Sequence, residues 1–125
     1  MSPADDEQPG TIGVDVRRLP DDCVVVKIGS ELQQHKAAVT VLRAAMTELR
    51  RSPALLVIDL SNVASIDRHS IDVLTTLAAE AGEADISFCL VAAPDGPVTA
   101  ALAEARKTEL FEIFSSVSEA REEPA

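Results

Sequence analysis

The sequence predicts a small α/β domain in which helices pack on a mixed, mostly parallel β-sheet. Three observations carry that prediction. Ala54-Leu55-Leu56-Val57-Ile58 is a short, unbroken apolar run of the kind found in strands buried on both faces. After a loop, Ile71, Leu74, Leu77, Ala78 and Ala81 recur at three- and four-residue spacing, which places them on one helical face. Strand-like and helix-like segments then alternate to the C-terminus, the pattern of crossovers between parallel strands. The sheet is mixed because the first two strand-like runs are separated only by Pro20-Asp21-Asp22, a turn short enough to impose antiparallel pairing.

Taken in order, Met1 to Gly10 is polar, contains two prolines and Asp5-Asp6-Glu7, and is expected to be a disordered tail. Thr11–Leu19 alternates in part through Ile12, Val14 and Val16, and Cys23–Ile28 is a β-branched run. Lys36–Arg51 reads as a helix with a stripe of Ala38, Val41, Leu42, Ala45, Met46 and Leu49. Arg50 and Arg51 fall in its last turn, where cations complement the helix dipole. Ser52-Pro53 ends it, since a residue before proline avoids helical geometry. Ala54–Leu60 is the central strand, and Asp67 is placed to cap the helix that follows. Gly82-Glu83-Ala84-Asp85 is expected to break that helix. Ile86–Ala92 is another strand. Pro97 suits the first position of a short helix with Val98, Ala101, Leu102 and Ala105 inward. A last strand is expected around Ile113-Phe114, then a helical turn to Ala120 capped by Ser116 or Ser118. The domain is therefore expected to span 11–120, with a frayed tail at 121–125.

A chain of 125 residues, 46% apolar, suits one globular domain with one modest core. Its net charge of −10 argues against nucleic acid and against anionic membrane surfaces, both of which require clustered Lys and Arg. With 2% aromatic residues and no Trp or Tyr, platforms for stacking bases are absent as well. There is no run of membrane-spanning length and no signal-peptide pattern at the N-terminus, so the expected location is the cytoplasm. Cys23 and Cys89 sit in apolar strand-like runs and are expected to be small buried core residues. A redox bridge between them requires neighbouring strands.

No catalytic site is expected. Asp67, His69 and Ser70 are the residue types of a hydrolytic triad, but helical neighbours one and two apart point in different directions. No Gly-x-Ser-x-Gly elbow occurs. His35 and His69 stand apart from each other and from the cysteines, so no metal site is expected. No glycine-rich loop follows a strand, and no cofactor is expected. Asp59 and Ser61 end the central strand, where α/β folds often bind ligands; loop hydrogen bonding is the simpler expectation.

Asp59-Leu60-Ser61-x-Val63-x-x-Ile66-Asp67-x-x-x-Ile71-x-Val73-Leu74 resembles the signature of STAS domains of the anti-sigma factor antagonist type. In that family the signature continues Asp-Ser-Ser-Gly-Leu-Gly, and the second serine is phosphorylated by a kinase that is itself the anti-sigma factor. Here the first serine position is Arg68, the phospho-acceptor position is His69, and the two glycine positions are Ser70 and Asp72. Gly29-Ser30-Glu31-Leu32 is similar to the family's Gly-Glu-Leu-Asp, with Ser30 inserted and Gln33 where the aspartate usually stands. The resemblance implies a non-enzymatic, STAS-like regulator that binds a kinase-like anti-sigma factor without the usual serine switch. The partner surface would comprise Arg68, His69, Ser70, Asp72 and Thr76. A different class of function on the same fold is a sensor module for a small ligand, a nucleotide or redox state.

Overall fold

The computed structural model describes residues 14–28 and 35–122. Strands β1 (Val14–Leu19) and β2 (Cys23–Ile28) form the leading hairpin, followed by α1 (His35–Leu49), β3 (Leu55–Asp59) and α2 (Arg68–Glu83). Then come β4 (Ser87–Val91), α3 (Pro97–Glu104), a 3₁₀ turn (Thr108–Leu110), β5 (Ile113–Phe114) and α4 (Val117–Glu122). The five strands lie in chain order, β1-β2-β3-β4-β5, in one sheet. Only β1–β2 is antiparallel; β2–β3, β3–β4 and β4–β5 are parallel. The hairpin turn closes because Asp21 (φ 66°) and Asp22 (φ 61°) both take the left-handed conformation that aspartate tolerates. Thr11–Gly13, Gly29–Gln34 and the termini fall outside the described residues.

β3 reads as an unbroken apolar run because it sits mid-sheet and buries both faces. Leu56, Ile58 and Leu60 pack with Val26, Leu90, Leu74 and Leu77 in the larger core, to which α1, α2 and α3 contribute. Val57 faces the other way, toward Val25, Cys89, Val91 and Ala120 of α4. Phe88 and Phe111 meet at the border of the larger core with tilted rings, centroids 6.4 Å apart. No helix among the described residues is long and apolar enough to cross a membrane.

Helix ends fall close to the expected positions, and the residues that make each stop are not the usual glycines. α2 ends inside the expected breaker, Gly82-Glu83-Ala84-Asp85, although Gly82 itself is still helical. The stop is Asp85 at φ 62°, with Ile86 N–H bonded to Ala81 O (2.8 Å) and Asp85 N–H to Gly82 O (3.2 Å). That pair of bonds is the Schellman closure, with aspartate in the place glycine usually fills. α3 closes the same way around Arg106 (φ 60°). α1 ends at Leu49, so Arg50 and Arg51 follow the helix and are not in its last turn. Arg51 instead approaches Glu48 (4.0 Å), whose buried carboxylate accepts two bonds from Arg18 of β1 at 3.1 and 2.8 Å. This fork ties the hairpin to α1 and holds the Arg18 guanidinium above its ordinary range. At the C-terminus, Ser116 Oγ accepts from Glu119 N–H (3.0 Å), so Ser116 is the cap. Arg121 is helical rather than part of a frayed tail, and reaches Pro20 O (3.5 Å) and Asp21 (4.0 Å).

Both cysteines are buried free thiols, on β2 and β4, with β3 between them: Cys23 pairs across to Leu55, and Cys89 to Val57. The neighbouring strands that a bridge needs are absent, which removes the redox pair. Burial pushes the Cys89 thiol up to about 12, with smaller contributions from Glu112 and Cys23. Burial likewise raises Cys23, against an opposing effect of Arg121. A thiol raised in the folded state contributes stability that is present below its unfolded value and lost as pH rises toward the folded one. Iodoacetamide at neutral pH is therefore expected to label neither cysteine in the native protein and both in denaturant. Rapid native labelling of Cys89 would contradict its burial.

Candidate functional site

The site grows from the C-terminal end of β3. Leu60 N–H bonds to Val91 O at 2.8 Å, holding the strand end against β4. Asp59 is buried, 6% exposed, and its Oδ1 accepts from Ser61 N–H (3.0 Å) and Ser61 Oγ–H (2.7 Å). Its carboxylate is thus used to shape the loop, as the simpler expectation had it. Val63 and Ile66 drop into the core and anchor the loop, while Ser61, Asn62 and Ala64 stay exposed.

Asp67 caps α2 with extended backbone (φ −101°, ψ 174°), its Oδ1 accepting Ser70 N–H at 2.9 Å. Replacing Asp67 by Ala is expected to cost about 1 kcal/mol, within the 0.5–2 range of such caps. Urea unfolding checks this: a loss within error of zero would mean that the cap does not hold the helix. Asp67→Ser should retain most of the stability.

From the cap, the helix sorts its first turns by direction. Arg68, His69, Asp72 and Thr76 are exposed and share the outward side. Ile71, Leu74, Leu77 and Ala81 are buried, as their spacing predicts; Val73 is buried too, on the flank of that stripe. Thr75 and Thr76 turn their hydroxyls back onto the carbonyls of Ile71 (2.9 Å) and Asp72 (3.0 Å). Ser70 requires a correction. Expected on the partner surface, it is 1% exposed, because the cap starts the helix at a phase that puts position 70 beside Ile71 and Leu74. The surface that the helix presents is therefore Arg68, His69, Asp72 and Thr76, with Arg68 and His69 at the tip.

Two small cavities lie at the other end of the strands. One, of about 300 Å³, is lined by Asp21, Cys23, Leu55, Ser118 and Arg121. The other, of about 210 Å³, lies against Arg18, Asp22, Arg51 and Pro53. Neither touches the α2 tip. Among the described residues, no group of three or more His, Cys, Asp or Glu is placed to hold a metal ion.

The family model that matches the chain is that of the STAS domain, over residues 15–120. The fold is similar to that of an anti-sigma factor antagonist from Mycobacterium paratuberculosis, with a TM-score of 0.78 and 23% identity over 91% of this chain and 94% of that one. It is also similar to the anti-sigma factor antagonist SpoIIAA in its unphosphorylated form, with a TM-score of 0.72 and 13% identity, covering 87% and 93% of the two chains. The phosphorylated form of SpoIIAA, the Bacillus cell fate determinant, matches with a TM-score of 0.66 and 12% identity, covering 87% and 96%. No curated protein matches the chain in sequence.

Proposed function

The chain belongs to the STAS domain family, and from that premise we propose that it is a non-enzymatic regulator of the anti-sigma factor antagonist type. It docks the first turns of α2 and the adjoining loop on a kinase-like anti-sigma factor in the cytoplasm, and so frees a sigma factor. The observation that carries this reading is the split between positions 69 and 70. The exposed position holds an imidazole, and the neighbouring hydroxyl is buried. A phosphate at a docking tip would add a charge of roughly −1.5 to −2, which disrupts an interface by repulsion and desolvation. With no exposed serine at position 69, docking on the partner escapes that control.

The test is affinity capture with the tagged chain from its own cells, followed by reconstitution. An anti-sigma factor should be recovered, and the purified chain should displace sigma factor from it equally with and without ATP. Recovery of no protein of that class would sink the proposal. Within it, Asp72→Lys is expected to weaken binding of the captured partner. The same change should leave the melting temperature nearly unchanged, as exposed substitutions usually do. A large shift in melting with unaltered binding would make this stripe structural.

A further inference from the structure

We propose that the partner meets the α2 tip with carboxylates: Arg68 forms a cationic docking point for an acidic patch on a protein surface. The inference rests on the docking role proposed above and adds the chemistry of the partner.

Arg68 is the first residue of a 16-residue helix whose first turn carries no acidic side chain. The first-turn N–H groups and the aligned peptide dipoles make that end positive, equivalent to about half an elementary charge, so a cation there works against the helix. Asp67, the nearest carboxylate in sequence, is turned onto the Ser70 amide at 2.9 Å. Among the described residues no ion pair or hydrogen bond engages the Arg68 guanidinium; the same is true of Arg43, Arg50 and Arg106, but of these Arg68 is the one that opens a helix. The chain has 21 acidic residues against 11 basic ones, so carboxylates are plentiful, yet none compensates this position. His69 is exposed beside it. One turn along the outward stripe, Asp72 reverses the sign. A complementary surface places Asp or Glu against Arg68 and a cation against Asp72, and the alternation fixes its register. A free anion would have to displace the Asp67 carboxylate from the Ser70 amide, which is why the occupant is a protein surface.

The experiment compares wild type with Arg68→Gln and Arg68→Glu, by thermal melting of each chain and by titration with the anti-sigma factor captured above. Removing an adverse charge should raise the melting temperature, by about 1–3 °C for Arg68→Glu and less for Arg68→Gln. The same change should weaken partner binding about tenfold or more. Wild-type affinity should fall as salt is added, and a partner with one interfacial carboxylate changed to Lys should recover binding to Arg68→Glu. Arg68→Glu that melts lower than wild type would show that the arginine is compensated within the free chain and overturn the inference. So would Arg68→Glu binding as tightly as wild type, or an affinity indifferent to salt; in both cases the docking role stands and only the acidic partner falls. If no anti-sigma factor binds the wild-type chain, the docking role fails, and this inference with it.

Discussion

Replacing Leu74 by Ala is expected to lower the unfolding free energy by about 2–5 kcal/mol. Leu74 is fully buried on the inner side of α2 and belongs to the cluster with Leu56, Ile58, Leu77 and Leu90. Truncation removes the transfer free energy of its methyl groups and leaves a void. The sheet floor of that void is held by hydrogen-bonded strands on either side of β3, so the site has little room to collapse. Against a total stability of about 5–15 kcal/mol for a typical domain, the loss is a large fraction. The measurement is the urea midpoint at constant slope. A loss under about 1 kcal/mol would mean that the inner side of α2 is assigned wrongly, and with it the outward side that the docking proposal uses.

Incubation with the cognate anti-sigma kinase and ATP is expected to leave the intact mass of the wild-type protein unchanged. Phosphoryl transfer rests on positioning, and the acceptor oxygen must lie in line with the γ-phosphate. On the proposed reading the acceptor position falls on His69, which is exposed and carries no hydroxyl. The adjacent hydroxyl of Ser70 is about 100° around the helix and buried to 1% exposure. Delivering it to a nucleotide would require unwinding the first turn and breaking the Asp67 cap. His69→Ser restores a hydroxyl at an exposed position, so modification of that variant, and of it alone, is the expected positive control. Stoichiometric phosphate on the wild type that disappears in Ser70→Ala would show that the switch has moved by one residue and still operates.

Much of this was legible in the residues because burial leaves periodic marks. β3 shows as an uninterrupted apolar run since both of its faces are covered, and α2 shows as a 3.6-residue period since one face is. Asp67 was visible as a cap because its carboxylate precedes the periodic stretch. Two helix stops were legible as regions, Ser52-Pro53 and 82–85, and the third, at Arg106, was not: the residues in left-handed conformation there are Ser52, Asp85 and Arg106, whereas glycine is the usual signal. Ser70 was misplaced because a polar residue beside exposed neighbours carries no mark of burial. Its direction follows only from the phase that the Asp67 cap imposes. The Arg18–Glu48 fork joins residues thirty apart and depends on a register that local pattern does not encode. The separation of Cys23 from Cys89 required the strand order.

The central position of β3 has a consequence for synthesis on the ribosome. β3 is complete at Asp59, and its second neighbour, β4, ends at Val91. At elongation rates of about 5–20 residues per second, roughly 2–6 s pass before that neighbour is made. Through that interval the nascent chain carries Leu55-Leu56-Val57-Ile58 with one edge unpaired, a template for pairing with another nascent chain. The leading hairpin can form from local contacts, but the core strand cannot be sealed until α2 and β4 have both emerged. Premature termination between Asp59 and Ser87 would therefore release a fragment prone to aggregate.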